Sequence, residues 1–413
     1  MKRSTWVSCL FLAMVLLFGA FACGSSGGSS SAHHAIDDDT SPADDDTSPA
    51  DDDVSPADDD DTSPADDDVS PADDDTSTDD DTADDDDNDN DDDDNDDDND
   101  NDNDDDAAPS WSLMNSGSTA SLSGVWGSSA SDVFAVGTAA DGVILHFDGS
   151  AWSTVTSSVG AALAGVWGSS PSDVYAVGLT DSAGDSVILH YNGAAWSVVG
   201  GAPTTFLRSV WGSSPSDVFA VGGDNFFVIL HYDGSGWSPM ANGSPVTLFG
   251  VSGTSGSDVF AVGGNLNAPA SAIVHYDGSG WSPMPSGTVA FGTLYGVWGS
   301  SSANVFAVGR DDFIGTCLVL QYDGSAWSET SSATSGALFS AWGSSSADVF
   351  AVGANYDTNG NPIGSVILHY DGSTWSPMTP PSGTGDALSG VWGSAALDVF
   401  AVGDGGTILH YGN

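Results

Sequence analysis

Residues 107–413 contain a sequence repeat in which histidine recurs at one position. Histidine side chains can bind metal ions and transfer protons. The recurring His follows two apolar residues in six of seven sequence repeats, and Gln321 replaces it in the fifth. The six are His146, His190, His231, His275, His369 and His410. In the disc-shaped fold that the repeats predict, these side chains lie on the third strand from the axis and diverge, so they cannot meet at one metal ion. We expect each His to be buried and hydrogen-bonded within its own repeat.

Aspartate recurs at two positions, and both are predicted to lie in turns. The first position precedes Val-Phe or Val-Tyr and is Asn304 in the fifth repeat; its aspartates are Asp132, Asp173, Asp217, Asp258, Asp348 and Asp398. The second lies in Tyr/Phe-Asp-Gly-Ser and is Asn192 in the second repeat; its aspartates are Asp148, Asp233, Asp277, Asp323 and Asp371. Because Asp and Asn both bond the backbone two residues on, the first set is expected to hold its own turn. The Asp-Gly pair predicts a tight hairpin.

The second motif, with the Trp that follows it, resembles a shortened Asp-box of the sialidase-like propellers, in which the box is structural. Glycoside hydrolysis requires two carboxyl groups flanking one bond, whereas these Asp residues occupy repeated turn positions. Sialidases hold their substrate carboxylate with three arginines, and this domain has only Arg208 and Arg310. The sequence therefore favours non-catalytic binding, with a glycan-cleaving enzyme or a purely structural envelope component as the alternatives, and it suggests no cofactor.

The elements that position these residues form a repeat of four short apolar runs, called strands a to d. In the first repeat they are GVWGSS, DVFAVG, VILHF and the run that begins at Trp152. The aromatic marker of strand a recurs at intervals of 41, 44, 41, 46, 44 and 50 residues, with Ser252 in the fourth repeat. Such periods with four strands each are typical of propeller blades. The sequence predicts an all-β, seven-bladed β-propeller of four-stranded antiparallel blades.

The chain should close the ring with its first strand. Residues 111–114 read as a lone strand d, and the last repeat ends after strand c at Tyr411. Pairing the two would complete the seventh blade and leave no open edge. The repeat pattern GVWGSS–SDVFAVG–ILHYDGS–W resembles that of secreted bacterial β-propeller lipoproteins, which are known only as repeat proteins, and this resemblance implies fold and export but no reaction.

Length variation is concentrated in the segment between strands b and c, which in an antiparallel blade lies on one face of the disc. Variable loops are where function is expected, and exposed aromatics beside Asn and Asp suit protein or carbohydrate recognition. The candidate binding face comprises Asp181, Asp185, Asp224, Asn225, Phe226, Phe227, Asn265, Asn267, Arg310, Asp311, Asp312, Phe313, Tyr356, Asp357, Asn359 and Asn361. The alternative is that these loops are tolerated surface insertions.

The segments before the propeller predict export and tethering. Residues 1–22 have the basic start and apolar run of a signal peptide. The following Cys23 resembles the lipidated Cys of a bacterial lipobox, although Ala20-Phe21-Ala22 also suits ordinary signal peptidase. Residues 23–36 form a Gly/Ser tether, and residues 37–106 hold 39 of the 59 Asp residues. Such a segment has little to bury and repels itself, so it predicts a disordered stalk.

The predicted location is the outer membrane or cell surface through a lipid anchor, with a periplasmic or secreted protein as the alternative. The propeller carries 20 Asp and Glu329 against two arginines, a net charge of −19, which argues against nucleic acid as a partner. Cys317 is the domain's one cysteine, so a disulfide within it is impossible. The stalk lacks the Gly and Glu of an EF-hand loop and predicts only weak, diffuse Ca²⁺ binding. We expect a monomer.

Overall fold

The computed structural model describes residues 108–413 except 140–141, 156–159, 181–184, 224–226, 242–245, 265–270, 287–291, 331–332 and 386. The predicted signal peptide, tether and stalk, together with Cys23, lie outside the described residues. So do six residues of the candidate face, namely Asp181, Asp224, Asn225, Phe226, Asn265 and Asn267. Within the described part, no helix is long and apolar enough to cross a membrane.

In the described ranges, twenty-eight strands form seven four-stranded antiparallel sheets. The chain begins with β1 Ser110–Met114 and continues through blade 1 as β2 Ser121–Ser129, β3 Asp132–Thr138, β4 Val143–Phe147 and β5 Trp152–Val155. Blade 2 comprises β6 Ala161–Ser170, β7 Asp173–Thr180, β8 Ser186–Tyr191 and β9 Trp196–Val198. Blade 3 comprises β10 Leu207–Ser214, β11 Asp217–Gly223, β12 Phe227–Tyr232 and β13 Trp237–Pro239.

Blade 4 comprises β14 Thr247–Ser255, β15 Asp258–Gly264, β16 Ser271–Tyr276 and β17 Trp281–Met284. Blade 5 comprises β18 Gly292–Ser301, β19 Asn304–Asp311, β20 Thr316–Tyr322 and β21 Trp327–Glu329. Blade 6 comprises β22 Ala337–Ser345, β23 Asp348–Tyr356, β24 Pro362–Tyr370 and β25 Trp375–Met378. Blade 7 comprises β26 Leu388–Ala395, β27 Asp398–Gly403, a 3₁₀ turn at Asp404–Gly406, and β28 Ile408–Gly412. The predicted seven-bladed propeller is confirmed.

The hydrophobic core lies between neighbouring blades. Strand b is buried on both faces, which explains why its sequence is continuously apolar rather than alternating. Between blades 1 and 2, Phe134 and Ile144 of the first blade pack with Val166, Leu189 and Trp196 of the second. Equivalent clusters recur around the ring, so each blade is stabilised chiefly by apolar burial against its two neighbours.

Tryptophans join each blade to both of its neighbours. The strand d Trp meets the strand b aromatic of the preceding blade edge to face, as in Trp196 on Phe134, with ring centroids 5.8 Å apart. The strand a Trp reaches the following blade instead, where Trp126 lies over Gly168. A Cβ built on Gly168 would stand 2.6 Å from Trp126 Cη2, so glycine is required there. In blade 4 the tryptophan is replaced by Ser252, and a Cβ on Gly299 would first meet Val305, at 3.0 Å.

The first strand closes the ring as predicted. β1 pairs antiparallel with β28, placing Trp111 opposite Tyr411. Trp111 also meets Phe350 of blade 6 edge to face at 5.9 Å, the contact that every other strand d Trp makes with its preceding blade. The closing strand is therefore packed as an integral part of blade 7.

Candidate functional site

The recurring His and Asp residues are partners of one another. His146 Nε2 lies 2.6 Å from Asp132 Oδ1, while Asp132 Oδ2 accepts a hydrogen bond from Ser128. The same pair forms in blades 2, 3, 4, 6 and 7. Each His therefore bonds within its own blade, as predicted, but it is half-buried rather than buried. Among the described residues, no group of three or more His, Cys, Asp or Glu side chains converges as a metal site would require.

The expected role of the Ser-Asp-Val aspartates is wrong in its detail. The carboxylates bond a Ser or Thr hydroxyl and a His rather than the backbone of their own turn. In blade 5 both partners change together, to Asn304 and Gln321. This paired replacement favours a structural role for the His–Asp contact, which joins strands b and c.

The second set of aspartates holds the c–d turns. Asp148 Oδ1 accepts hydrogen bonds from Ser150 N and Ala151 N at 2.9 Å and from the Ser150 hydroxyl at 2.6 Å. These bonds lower the pKa of Asp148 to about 2. The turn is a four-residue connection between Phe147 and Trp152 rather than a two-residue hairpin. Gly149 adopts a φ of 90° there, which favours glycine.

Several residues of the candidate binding face hold their own loops. Asp311 Oδ1 accepts hydrogen bonds from the backbone N–H groups of Phe313 and Ile314, at 2.8 and 3.1 Å. Asp357 Oδ1 does the same for Asn359 and Asn361, both at 2.8 Å. These bonds, first among them that from the Asn361 backbone, lower the pKa of Asp357. Phe227 is half-buried at the start of β12, opposite Gly223, and Asp185 is exposed.

Arg310 and Tyr356, from neighbouring blades, come together on this face. The guanidinium carbon of Arg310 lies 5.5 Å from the centroid of the Tyr356 ring. Asp312 is half-buried beside them and accepts a hydrogen bond from Thr293 Oγ1 at 2.9 Å. Burial raises the pKa of Asp312, against the lowering influence of Thr293 and Arg310. Burial also raises the pKa of Tyr356.

Apolar side chains project from the same two hairpins. Phe313 and Ile314 lie at the b–c connection of blade 5 and are 83% and 64% exposed. Ile363 lies on β24, at the b–c connection of blade 6, and is 58% exposed. We call these three residues the apolar tips. Exposed large apolar side chains on neighbouring loops mark interaction surfaces more often than isolated ones do.

The central channel is asymmetric at the same end of the disc. Every blade has a Leu near the start of strand a, such as Leu122 in blade 1, and a β-bulge follows it. The bulged residue lines the channel. In chain order the bulged residues are Ser123, Ala164, Arg208, Phe249, Tyr295, Phe339 and Ser389. The channel cavity measures about 240 Å³. Three of the seven bulged residues are therefore small and four are large.

The large residues form a continuous series of contacts. Arg208 lies over the rings of Phe206 and Phe249, at 4.5 and 5.1 Å from their centroids. Phe249 is 5.3 Å from Tyr295, which is 5.5 Å from Phe339. We call these five residues the aromatic arc. Burial, followed by the charge of Asp312, raises the pKa of Tyr295 to about 12, although Arg310 and Arg208 oppose the shift.

Sequence reasoning treated Arg208 only as a charge and did not consider Thr293, Phe249, Tyr295 or Phe339 for the site. A signal was available, because the position after the strand a Leu changes from Ser or Ala to Arg, Phe and Tyr while its neighbours scarcely change. Interpreting it required knowledge of the bulge that turns this position toward the channel.

No family model matches the chain, and no curated protein matches it. Among solved structures, the chain is similar to YCF48 bound to D1 peptide, with a TM-score of 0.54 and 13% identity over 73% of this chain and 95% of that one. It is also similar to virginiamycin B lyase from Staphylococcus aureus, with a TM-score of 0.58 and 11% identity over 74% and 99% of the two chains. The WD40 propeller domain of Doa1 gives a TM-score of 0.57 and 10% identity over 73% and 95%. These similarities support the propeller fold alone.

Proposed function

We propose that this chain is a non-catalytic binding protein, tethered at the cell surface, that holds a partner protein on the b–c face of blades 5 and 6. The observation that carries the proposal is the set of apolar tips on the two b–c hairpins that also carry Arg310 and Tyr356. Burying such side chains against a partner stabilises a complex by roughly 25 cal/mol per Å² of apolar surface removed from water. Propellers that bind proteins or peptides are among the structural neighbours, as YCF48 with its D1 peptide illustrates.

A protein fits this face better than a glycan. Sugar recognition relies on aromatic faces and on polar groups that are free to bond hydroxyls. Ile314 and Ile363 are aliphatic, and Asp311 and Asp357 already bond their own turns. The domain's net charge of −19 further favours a partner whose apolar patch is bordered by Lys and Arg.

The glycan-cleaving alternative has a narrower basis. Structural neighbours include enzymes such as virginiamycin B lyase. Burial raises the pKa of Asp312, which is the direction of shift found in general acids. Glycoside hydrolysis requires a second carboxyl group across the scissile bond, and Asp311 beside Asp312 is bonded to its own turn. Binding without catalysis is therefore the function we propose.

The test compares captured partners between matched variants. Purified full-length protein is immobilised and exposed to envelope extract of the producing cells, alongside a Phe313→Ser/Ile363→Ser variant. The control is Leu397→Ser, because Leu397 is 47% exposed at the a–b turn of blade 7, on the opposite face. The same protein should be captured by the wild type and the control and lost from the tip variant. Capture that survives in the tip variant would contradict the proposed face.

Tethering is proposed from the position of Cys23 after the apolar run, followed by the Gly/Ser tether and the Asp-rich stalk. Lipidation of Cys23 would hold the propeller at the membrane, and Cys23→Ser should move the protein to the soluble fraction. Mass spectrometry of the mature wild-type protein provides the check. An unmodified Cys23 would show that the anchor is absent.

A further inference from the structure

The outer strand of each blade has one edge that no strand covers. Ring closure pairs β28 with β1, but strand d still lies at the end of every sheet, and in the described part of the chain it pairs only with strand c. Such edges can pair with strands of other proteins, and natural sheets block them with proline or a charged residue. The residues of strand d therefore decide which blades can accept a further strand.

The decisive position is the second residue after the strand d Trp. In blade 3 it is Pro239, which lies opposite Leu230, and the next residue, Met240, donates its backbone N–H to the Ile229 carbonyl oxygen at 2.9 Å. Because backbone groups alternate in direction along an antiparallel strand, the residue before Met240 turns its backbone away from strand c. Proline at this position therefore removes an outward-facing donor.

This block is present in four consecutive blades and absent from the other three. Blades 3 to 6 have Pro239, Pro283, Glu329 and Pro377. Blades 7, 1 and 2 have Leu113, Thr154 and Val198. Blade 7 differs from blades 3, 4 and 6 in this one residue, because residues 111–114 read Trp-Ser-Leu-Met where those blades have Trp-Ser-Pro-Met. Its strand β1 is also the longest of the three unblocked strands, with five residues against four in β5 and three in β9.

The edge of β1 presents outward-facing backbone together with an apolar side chain. Leu113 lies opposite Leu409 of β28, in the register that Pro239 has in blade 3, so its N–H and carbonyl oxygen point outward. Its side chain is 47% exposed. An added strand could bond the backbone of Leu113 and of Trp111, two residues earlier, while the Trp111 indole stays packed on blade 6.

A cavity of about 340 Å³ opens where β1 ends. Leu113 and Met114 line it from β1, and Gly383, Gly405 and Gly406 line it from the neighbouring connections. A Cβ built on Gly405 would meet nothing within 4 Å among the described residues, so the space above this turn is open. The edge of β1 and the cavity share Leu113, and a strand that followed the edge would therefore reach the cavity.

The lining of the cavity favours an apolar side chain. Asn115 Oδ1 accepts a hydrogen bond from the backbone N–H two residues on, at 3.1 Å, and Ser116 Oγ donates to the Ser118 carbonyl oxygen at 3.2 Å. Thr407 Oγ1 accepts a hydrogen bond from the Gly385 N–H at 3.0 Å. Because these polar side chains already have partners, the surface left for a ligand is that of the leucine, the methionine and the glycines, which gains by burial.

Charge favours a different protein over a second copy of this chain. The domain has a net charge of −19, so two copies repel each other. Neither of its two arginines lies on β1 or lines the cavity. A segment flanked by Lys or Arg would complement this charge. Strand addition of this kind takes its affinity from backbone hydrogen bonds and its specificity from a side-chain pocket.

We propose that the outer edge of β1 binds an extended segment of a partner protein, which adds a fifth strand to blade 7 and places an apolar side chain in the cavity at the end of β1. The inference goes beyond the proposed function, since none of the apolar tips belongs to β1 or to the lining of this cavity.

The test selects peptides on the full-length protein. A phage library of random nine-residue peptides is selected on the immobilised protein, the consensus peptide is synthesised, and fluorescence polarisation measures its Kd. We expect a consensus that alternates β-branched residues, with one large apolar residue and flanking Lys or Arg. Replacing that apolar residue with Ser should weaken binding at least about tenfold, because its burial in the cavity is lost.

The matched variants are Leu113→Pro and Val198→Pro. The first gives blade 7 the Trp-Ser-Pro-Met of blades 3, 4 and 6, so it should fold with a urea midpoint close to that of the wild type. It should weaken the peptide at least about tenfold, because an outward donor is removed. Val198→Pro makes the same change in blade 2 and should leave the Kd unchanged, as should Phe313→Ser/Ile363→Ser. In the wild type, hydrogen exchange of the Leu113 amide should slow when the peptide binds, a measurement that needs no variant.

Several results would overturn the inference. They include a selection that enriches no peptide, a consensus peptide that binds Leu113→Pro as tightly as the wild type, and unchanged exchange at Leu113. An equal loss of affinity in Val198→Pro would contradict the assignment to β1, and a loss in Phe313→Ser/Ile363→Ser would place the peptide on the apolar tips instead. A dimer in sedimentation that Leu113→Pro dissociates would assign the edge to a second copy and contradict a separate partner.

Discussion

The contact between Trp126 and Gly168 gives a quantitative prediction about how the blades are held together. A Cβ in Gly168→Ala would stand 2.6 Å from Trp126 Cη2 and 2.8 Å from the Asp173 carbonyl oxygen. Overpacking of this kind costs about 1–3 kcal/mol. Removing a glycine also stabilises a protein by about 0.4–1 kcal/mol through the unfolded chain. We therefore expect Gly168→Ala to lower the free energy of unfolding by about 1–2 kcal/mol.

The chain contains its own control for this prediction. Gly299 occupies the same position in blade 5, where the preceding blade carries Ser252 instead of tryptophan. A Cβ there would lie 3.0 Å from Val305 Cγ2 and 3.4 Å from the Asn304 carbonyl oxygen. Because a methyl group can shift by a few tenths of an ångström, Gly299→Ala should change the free energy of unfolding by less than about 1 kcal/mol.

The free energy of unfolding of both variants is measured by urea denaturation, with tryptophan fluorescence as the signal. The single variant Trp126→Ser recreates the natural Ser252–Gly299 pair, and a Trp126→Ser/Gly168→Ala double variant completes the comparison. The alanine should cost at least about 1 kcal/mol less in the Trp126→Ser background than in the wild type, because the two residues are in contact. An equal cost in both backgrounds, or an equal cost at Gly168 and Gly299, would refute the proposed role of the tryptophan contact.

Three further predictions concern closure, the His–Asp pairs and pH. Trp111→Ala should cost about 3–5 kcal/mol, as much as Trp237→Ala in blade 3, because both rings pack edge to face on the preceding blade; a much smaller loss in urea unfolding would mean that β1 is dispensable. Asp217→Asn with His231→Gln, which recreates blade 5, should cost less than the sum of the single variants, whereas strict additivity would contradict a coupled pair. The pKa of the Asp148 carboxyl is about 2 in the folded state, below the roughly 3.9 of an unfolded chain, so its contribution to stability is present above about pH 4 and is lost as the pH falls toward 2. Asp148→Asn, which matches Asn192 of blade 2, should reduce the decrease of the urea midpoint between about pH 4 and pH 2. An unchanged decrease would contradict the contribution assigned to Asp148.

The blades were predictable because their signals are local and repeated. Strand b is apolar along its whole length, the Asp-Gly turn recurs at a fixed distance from strand d, and the first segment lacks strands a to c. The same strand pattern therefore recurs in all seven repeats. Ring closure follows because the last repeat lacks the strand d that the first segment supplies. The predictions for residues 1–106 concern segments outside the described residues and stay predictions.

The His–Asp pairing was harder to infer because its two residues are separated by the variable b–c segment. Asp132 and His146 are 14 residues apart, whereas Asp348 and His369 are 21 apart. The signal is the paired change to Asn304 and Gln321 in one repeat, which becomes visible only when both positions are compared across all seven repeats. Antiparallel pairing of strands b and c brings the His and the Asp together. In blade 1, Phe134 lies opposite His146, and the Phe134 ring packs against the imidazole ring at a centroid distance of 4.4 Å.

The sequence predicted the b–c face as the binding face, and the binding role of that face stays a prediction. Loop lengths indicated the b–c side, and Arg310, Phe313 and Tyr356 were among the candidates. The sequence could not show that Asp311 and Asp357 hold turns. The residue type alone does not distinguish an aspartate that bonds its own backbone from one that is free to bind a partner. Nor could it show that Tyr295 faces the channel, since an extra residue in the β18–β19 ladder reverses the alternation expected of a strand.

The central claim, that the b–c face of blades 5 and 6 binds a protein, is tested most directly by site-specific photocrosslinking in the producing cells. A photoreactive phenylalanine analogue is placed at Phe313 and, in a separate strain, at Ser150 in a c–d turn, which is also exposed. The account predicts a discrete protein adduct from position 313, absent from position 150 and weakened by Arg310→Gln. An adduct from position 150 alone, or no protein adduct from position 313, would contradict it.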